Sequence, residues 1–282
     1  MSIQFSRVVA SRIQTNSRPF FVRAIDLAQF GERASPVEVL DHFRVSGRPF
    51  PPHPHAGFSA VTYVLEDSKG SLRSRDSLGN DVVIGPGGIV WTQAGSGLIH
   101  EETPADATRE LHAIQVFVNL SSKNKLATPQ MLRLESRDVP EWRSGAGDRV
   151  RVVVGSFGGV TSPLVPVEPF HLLDVNLHSD ISLDLEDGHN ALIYTLEGDV
   201  IVRANGNEKK VTTEHALALH GRGQVNIETS QRAHFLILSG AQISEPVLTH
   251  GPFIMNERSQ IDAALARYRA GQMGRLAQRS ES

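Results

Sequence analysis

Cysteine is absent from all 282 residues of the sequence. This absence excludes disulfide bonds, thiolate-bound zinc and iron–sulfur sites, and cysteine nucleophiles. It is typical of proteins kept in a reducing compartment, so we expect a cytoplasmic location.

Strong charge and long apolar runs are missing as well. The 28 Lys and Arg residues nearly balance the 31 Asp and Glu residues, for a formal net charge of -3. Without a basic stretch, we expect no direct contact with nucleic acid or anionic membrane. No apolar run approaches the ~18 residues that a membrane helix needs. The first residues carry charges and lack the apolar core of a secretory signal.

Short runs rich in β-branched residues dominate what is present. Clusters of Gly, Pro, Asn and Asp separate them, and almost no helical periodicity lies between them. This pattern predicts an all-β protein built as a sandwich or barrel. The main predicted strands are Val61–Leu65, Asp81–Ile84, Ile89–Thr92, Leu111–Leu120, Arg149–Val154, Phe170–Leu177, Ala191–Leu196, Asp199–Ala204, Ala216–His220 and Ala233–Leu238.

Two strand-rich blocks resemble diverged copies of each other. The tetrapeptide Tyr63–Glu66 in the first block corresponds to Tyr194–Glu197 in the second, an offset of 194 − 63 = 131 residues. An offset of one domain length indicates a duplicated β-domain. We therefore predict a barrel over residues 1–120, a connecting segment over 121–167, and a second barrel over 168–282.

One helix is predicted, near the end of the chain. Apolar residues recur at helical spacing in Ile261–Leu276. Ser259 with Asp262 three residues later predicts a capping box at its start, and Gly271 predicts its end. We interpret this helix as a packing element.

Two short patterns carry the chemistry. His53 and His55 precede one predicted strand, and His100 and Glu102 follow another. In an extended chain, residues i and i+2 point to the same face, about 6–7 Å apart. If both segments line one barrel, three imidazoles and one carboxylate converge, a ligand set suited to Fe, Ni, Cu, Zn or Mn. An isolated H-x-H pair is more often a chance pairing, so the argument depends on both patterns.

Five other residues are predicted to have structural roles and not to bind the metal. Glu101 faces the opposite side of its strand by parity. Trp91 and Phe58 are interpreted as core residues, and His42 and His112 as hydrogen-bonded structural imidazoles.

The second block lacks a matching histidine pair. The offset of 131 residues carries His53 and His55 onto Asp184 and Glu186. Two carboxylates could bind a hard cation. The histidines of this block are scattered, however, and we predict that it is structural.

Several long motifs resemble the signature of the pirin family. They extend from Leu40–Phe43 to the terminal helix. The matching segments are His53–Phe58 with Val61–Glu66, Arg75–Asn80, Ile84–Gly87, Ala94–Glu102, Glu245–Val247 and His250–Asn256.

The resemblance implies a bicupin, with two tandem cupin barrels and a C-terminal helix. It implies one divalent metal in the first barrel, usually Fe(II), with Ni, Cu, Mn, Co and Zn as alternatives. The ligands carried over are His53, His55, His100 and Glu102.

The first motif departs from the family at two positions. Ala56 stands where the family usually has Arg, and Ser59 where it has Glu. The ligands are intact, but charge near them is reduced, and such neighbours tune affinity and reactivity.

Some pirins are similar to quercetin 2,3-dioxygenases, which implies an oxidative ring cleavage of flavonols with O2. The 3-hydroxyl of the substrate would bind the metal, Glu102 would accept its proton as general base, and carbon monoxide and a depside would leave. One alternative is a non-catalytic, iron-binding redox sensor that binds protein partners. Another is a metal-dependent isomerase, which would not need O2.

Overall fold

Strands account for most of the ordered chain in a computed structural model, which describes residues 2–17, 19–47 and 50–276. Two 3-10 helices span Leu27–Ala34 and Ser136–Asp138, and the helix α1 spans Arg258–Arg269. The first twelve strands are β1 (Gln4–Ala10), β2 (Arg12–Ser17), β3 (Phe20–Ala24), β4 (Val37–Val45), β5 (His53–His55), β6 (Phe58–Val64), β7 (Leu72–Asp76), β8 (Asp81–Ile84), β9 (Ile89–Gln93), β10 (Leu98–Pro104), β11 (Leu111–Asn119) and β12 (Gln130–Leu134). The remaining strands are β13 (Glu141–Arg143), β14 (Arg149–Val154), β15 (Ser156–Phe157), β16 (Val160–Thr161), β17 (Phe170–Leu177), β18 (Asp180–Leu185), β19 (His189–Glu197), β20 (Val200–Ala204), β21 (Asn207–Val211), β22 (His215–His220), β23 (Gly223–Glu228), β24 (Ala233–Ala241), β25 (Leu248–His250) and β26 (Phe253–Met255).

Contacts divide the chain into two compact units. We call residues 13–23, 39–137 and 243–276 the first barrel, and residues 2–12, 24–38 and 138–242 the second barrel. These units differ from the boundaries predicted from sequence, because each barrel includes a segment from the far end of the chain. The predicted connection over 121–167 contains five strands, β12 to β16, and is shared between the two barrels.

The first barrel consists of a seven-stranded sheet facing a four-stranded sheet. The larger sheet has the order β12-β9-β6-β11-β4-β3-β2, and the smaller has the order β5-β10-β7-β8. Alternation along the strands sends one set of side chains between the sheets. A small apolar cluster, which includes Val64, Leu72, Ile84, Val90 and Leu111, fills one part of that interior.

The second barrel repeats this plan. Its larger sheet has the order β1-β22-β19-β24-β17-β14-β13, and its smaller sheet has the order β18-β23-β20-β21. Position by position, β1 takes the place that β12 has in the first barrel. The two tandem barrels and the C-terminal helix predicted from sequence are confirmed.

The helix begins at Arg258, and its cap differs from the prediction. Glu257 is the N-cap residue, not Ser259. The Oε1 atom of Gln260 accepts hydrogen bonds from the backbone amides of Glu257 (3.1 Å) and Asn256 (2.9 Å). An amide side chain at the third helical position therefore satisfies amides that lack helical partners. The buried residues Ile261 and Ala264 pack this helix into the first barrel.

Candidate metal centre

Strand pairing brings the predicted histidines together. Strands β5 and β10 are antiparallel neighbours, with His100 opposite His53 and Leu98 opposite His55. Residues directly opposite each other point to the same face of a sheet. His53, His55 and His100 therefore share the inner face of the four-stranded sheet.

The three imidazoles form a compact triangle. Their ring centroids are 4.8 Å apart for His53 and His55, 4.7 Å for His53 and His100, and 4.6 Å for His55 and His100. One ring nitrogen from each lies within 4.8 Å of the others. The Nε2 atoms of His53 and His100 are 3.2 Å apart. Three nitrogens this close suit a single shared cation.

Contacts behind the rings set their orientation. The Nδ1 atom of His53 lies 3.0 Å from the carbonyl oxygen of Pro51, which leaves Nε2 directed to the other histidines. The His55 ring packs edge-on against Phe58 and Phe117, with centroid separations of 5.0 and 5.5 Å. A carbonyl partner such as that of Pro51 fixes the tautomer of a metal-binding histidine.

Burial keeps two of the imidazoles neutral. It lowers the pKa of His55 to about 3, with a further lowering from His53 and a smaller opposing effect of the Pro252 carbonyl. Burial, together with His55 and His53, also lowers the pKa of His100 well below its usual range. Neutral imidazoles have a free lone pair, so this donor set fits a divalent cation.

Glu102 lies in the same cavity but outside the 4.8 Å histidine group. Its Oε2 atom accepts a 2.6 Å hydrogen bond from the hydroxyl of Thr62. Its Oε1 atom is buried and has no hydrogen-bond partner within the described part of the chain. Burial raises the pKa of Glu102 to about 7, although interactions with Thr62, Ser74 and Gln115 lower it in part.

Contacts or burial hold each of the five residues that the sequence predicts to be structural. Glu101 forms an ion pair with Arg75 at 3.0 Å, across the β10–β7 pair. His42 and His112 contact each other through their Nε2 atoms at 2.6 Å, and His112 also contacts Asp67. Trp91 and Phe58 are fully buried.

A cavity of about 320 Å³ opens in front of the histidines. Its lining is mainly apolar and includes Phe20, Phe43, Phe50 and Phe117. This volume is at the small end of the range of ligand sites, and an apolar lining with few polar groups is typical of them.

The C-terminal segment supports both histidine-bearing loops. The amide of Ile254 donates to the carbonyl of Ala56, next to His55. A Cβ atom on Gly97 would lie 2.5 Å from Met273, so the loop before His100 is closely covered. A glycine there permits this approach and the positive φ of 125°.

In the second barrel, apolar side chains occupy the corresponding place. Strands β18 and β23 hold the positions of β5 and β10 in the smaller sheet. Their inward residues Leu185, Val225 and Ile227 belong to a continuous apolar core. Asp184 and Glu186, which the repeat offset predicted, are exposed. The second barrel therefore has apolar side chains where the first has its histidines.

Sequence reasoning missed several residues that complete the site. Thr62 holds Glu102, and Gln115 donates a 3.4 Å hydrogen bond to the Thr62 hydroxyl. Asp41 lines the cavity, and Lys125 supports the loop after His55. Thr62 belongs to a predicted strand, where alternation could have placed it inside. Lys125 lies in the predicted connection, and no local pattern marks it.

Comparison with known proteins decides the family. The family model described as Pirin matches residues 4–118, and the model of the pirin C-terminal cupin domain matches residues 172–274. Human Pirin is 34% identical over 245 residues, which cover 85% of this chain and 83% of that protein. The chain belongs to the pirin family. The resemblance inferred from the sequence motifs is thereby confirmed.

Relatives of this pirin include proteins named for flavonol chemistry. A provisionally named quercetin 2,3-dioxygenase of Pseudomonas aeruginosa is 36% identical over 257 residues, covering 85% of this chain and 87% of that protein. The crystal structure of a quercetin 2,3-dioxygenase from Acinetobacter baumannii superposes with a TM-score of 0.84 at 25% identity, covering 97% of this chain and 99% of that one.

No helix in the described part of this pirin is long and apolar enough to cross a membrane.

Proposed function

We propose that this pirin binds one divalent metal ion through His53, His55, His100 and Glu102, and cleaves flavonols oxidatively with O2. The triangle of imidazoles, two of which burial keeps neutral, beside a buried carboxylate is the observation that supports this proposal most directly. The Oε1 atom of Glu102 has no hydrogen-bond partner within the described part of the chain, which leaves it available to a cation. Iron(II) is the ion we propose, since nitrogen and oxygen ligands of this kind suit redox-active first-row metals.

The metal, when bound, supplies Lewis acidity and redox reactivity toward O2. Glu102 would accept the proton of the substrate's 3-hydroxyl as general base. Burial raises the pKa of Glu102 to about 7 when no cation is bound, and a raised pKa makes the carboxylate a stronger base. The hydrogen bond from Thr62 holds Oε2 and fixes the plane of the carboxylate.

The cavity wall orients the substrate and excludes water. Phe43, Phe50 and Phe117 offer faces and edges for a flat aromatic ring system. Exclusion of water strengthens electrostatic interactions at the reacting atoms. The overall reaction converts a flavonol and O2 into a depside and carbon monoxide.

The deciding experiment follows quercetin absorbance and carbon monoxide release in air, with iron-loaded protein of measured metal content. We expect loss of the flavonol band with one carbon monoxide per substrate, and no reaction without O2. Turnover without O2 would indicate an isomerase. Full metal occupancy with no turnover would overturn the dioxygenase proposal and favour a metal-bearing regulator that binds protein partners.

A further inference from the structure

The two walls of the cavity in the first barrel differ in their polar groups. The four-stranded sheet carries His53, His55, His100 and Glu102 on β5 and β10. The facing wall is formed by β3, β4 and β11 of the seven-stranded sheet, and most of its side chains are apolar. Any molecule bound at the histidines therefore meets a largely apolar wall on its other side.

Two polar side chains interrupt that apolar wall in the described lining. Gln115 is associated with Thr62 and so belongs to the surroundings of Glu102. Asp41 is separate: alternation along β4 directs it inward together with Phe43 and Val45. Asp41 is therefore the ionisable residue of the facing wall within the described lining of the cavity.

Asp41 has no structural task that the described residues reveal. Burial raises its pKa to about 6, and no hydrogen bond or cation within residues 2–17, 19–47 and 50–276 opposes that effect. Asp76 differs from Asp41 in its hydrogen bonding, because its carboxylate accepts hydrogen bonds from the amides of Leu78 and Asn80. An uncompensated carboxyl group in an apolar wall costs stability, and such costs are typical of functional sites.

We propose that Asp41 determines specificity by accepting a hydrogen bond from a hydroxyl group on the part of the substrate remote from the histidines. This inference rests on the proposed function, since it takes the substrate to be a flavonol anchored at its 3-hydroxyl. Polyhydroxylated flavonols satisfy Asp41, whereas flavonols without remote hydroxyls leave it unpaired. A substrate with a carboxylate or sulfate at that end is rejected by charge repulsion.

The expected size of the preference for hydroxylated substrates follows from the strength of the hydrogen bond to Asp41. A hydrogen bond to a charged group contributes about 1.5–3 kcal/mol, which corresponds to roughly a tenfold to hundredfold difference in affinity. Sites built to pair with a hydroxyl discriminate strongly against analogues that lack it, because the buried group is then left without a partner.

The test compares quercetin with 3-hydroxyflavone, which lacks every hydroxyl except the one at position 3. Binding to metal-loaded protein is measured without O2 by ligand absorbance, and turnover is measured in air. In the unchanged protein we expect quercetin to bind at least about tenfold more tightly. In Asp41→Leu the ratio of the two dissociation constants falls toward one, and the loss in turnover of quercetin appears mainly in KM.

Asp41→Asn keeps the shape and a weaker acceptor, so it should retain part of the preference. Asp184→Asn, at an exposed position on β18, is the matched control and should leave the ratio unchanged. Metal content and the thermal midpoint of each variant show whether the site and the fold survive. A purely structural role of Asp41 would lower the thermal midpoint and weaken both ligands alike.

The outcomes separate this inference from the proposed function. Tight quercetin binding without turnover would overturn the dioxygenase, while the binding ratio would still decide the role of Asp41. Turnover with an unchanged ratio in Asp41→Leu would overturn the inference alone. Absence of binding of either flavonol to fully loaded protein would overturn both.

Discussion

The ammonium group of Lys125 donates a 2.9 Å hydrogen bond to the backbone carbonyl of Gly57, two residues after His55. Lys125 is completely buried, and it also donates to the Ile254 carbonyl at 3.0 Å and to the side chain of Asn119. One charged group thus connects the histidine loop of the first barrel to the C-terminal segment.

Replacement of Lys125 by Met should loosen this connection. We expect the free energy of unfolding to fall by about 2 kcal/mol, because buried carbonyl groups lose a charged donor. Metal affinity should fall as well, since Gly57 is no longer held. Denaturant unfolding and metal titration measure the two effects. Lys69→Met, at an exposed lysine, is the control, and equal effects in both variants would contradict this role.

Replacement of His55 or His100 by Ala should remove the proposed metal site without unfolding the barrel. We expect metal affinity to drop by more than about 100-fold, because loss of a ligand exceeds the effect of losing a ligand's supporting contact. Elemental analysis of purified protein, with circular dichroism for the fold, measures this. His215→Ala should retain full metal content. Normal metal content in either cavity variant would show that the ligand assignment is wrong.

Thr62→Val tests the positioning of Glu102. The substitution preserves volume but removes the 2.6 Å hydrogen bond to the carboxylate. We expect kcat for quercetin to fall about tenfold with little change in KM, because a misoriented base is less effective in proton transfer. Thr92→Val is the control, since the buried Thr92 hydroxyl has no hydrogen-bond partner among the described residues. A loss confined to KM would argue against this role.

Gly57→Ala should damage the first barrel more than Gly79→Ala. Both glycines have positive φ angles, 85° and 96°, so alanine is strained at either by about 1–3 kcal/mol. A Cβ atom on Gly57 would also lie 1.9 Å from the Ile254 carbonyl oxygen, whereas one on Gly79 meets nothing within 4 Å. Thermal unfolding of the two variants isolates the effect of this clash. Equal midpoints would show that the C-terminal segment can move away.

Asp148 should make the second barrel sensitive to acid. Burial raises its pKa, but hydrogen bonds from Ser144, His178 and Ser179 outweigh that effect and lower the pKa to about 2. A carboxyl group with a lowered pKa stabilises the fold above its unfolded pKa of about 4, and this contribution is lost as the pH falls through 2.

Asp148→Asn measures this contribution. We expect about 2 kcal/mol less stability than the unchanged protein at pH 7, from weaker hydrogen bonds, and convergence of the two proteins between about pH 4 and pH 2. Denaturant unfolding across this range gives the difference. Asp184→Asn should show none. A difference that is independent of pH would mean that the charge of Asp148 is unimportant.

Local patterns predicted ten of the described strands and the convergence of three histidines. Strands Asp81–Ile84, Arg149–Val154 and Phe170–Leu177 have the bounds predicted from sequence. The i, i+2 spacing placed His53 and His55 on one face, because the period of a strand is fixed by its geometry. A strong local pattern of this kind does not depend on distant residues.

Features that depend on contacts between residues far apart in the chain could not be predicted from the sequence. The pairing of β1 with β22 joins residues about 200 positions apart, and no local feature of Gln4–Ala10 indicates its partner. The role of Lys125 likewise depends on Ile254, far along the chain. The inward direction of Asp41 required knowledge of which face of β4 is covered.

The exchange of terminal segments between the barrels constrains how the protein is made. Chains fold largely in the order in which they are synthesised. His53 and His100 leave the ribosome long before Ile254 and Met273, which cover their loops. The loops that carry the ligands are therefore still without their support when the histidines emerge. Synthesis of the late segment, and not the appearance of the histidines, sets the moment at which the centre acquires its final geometry.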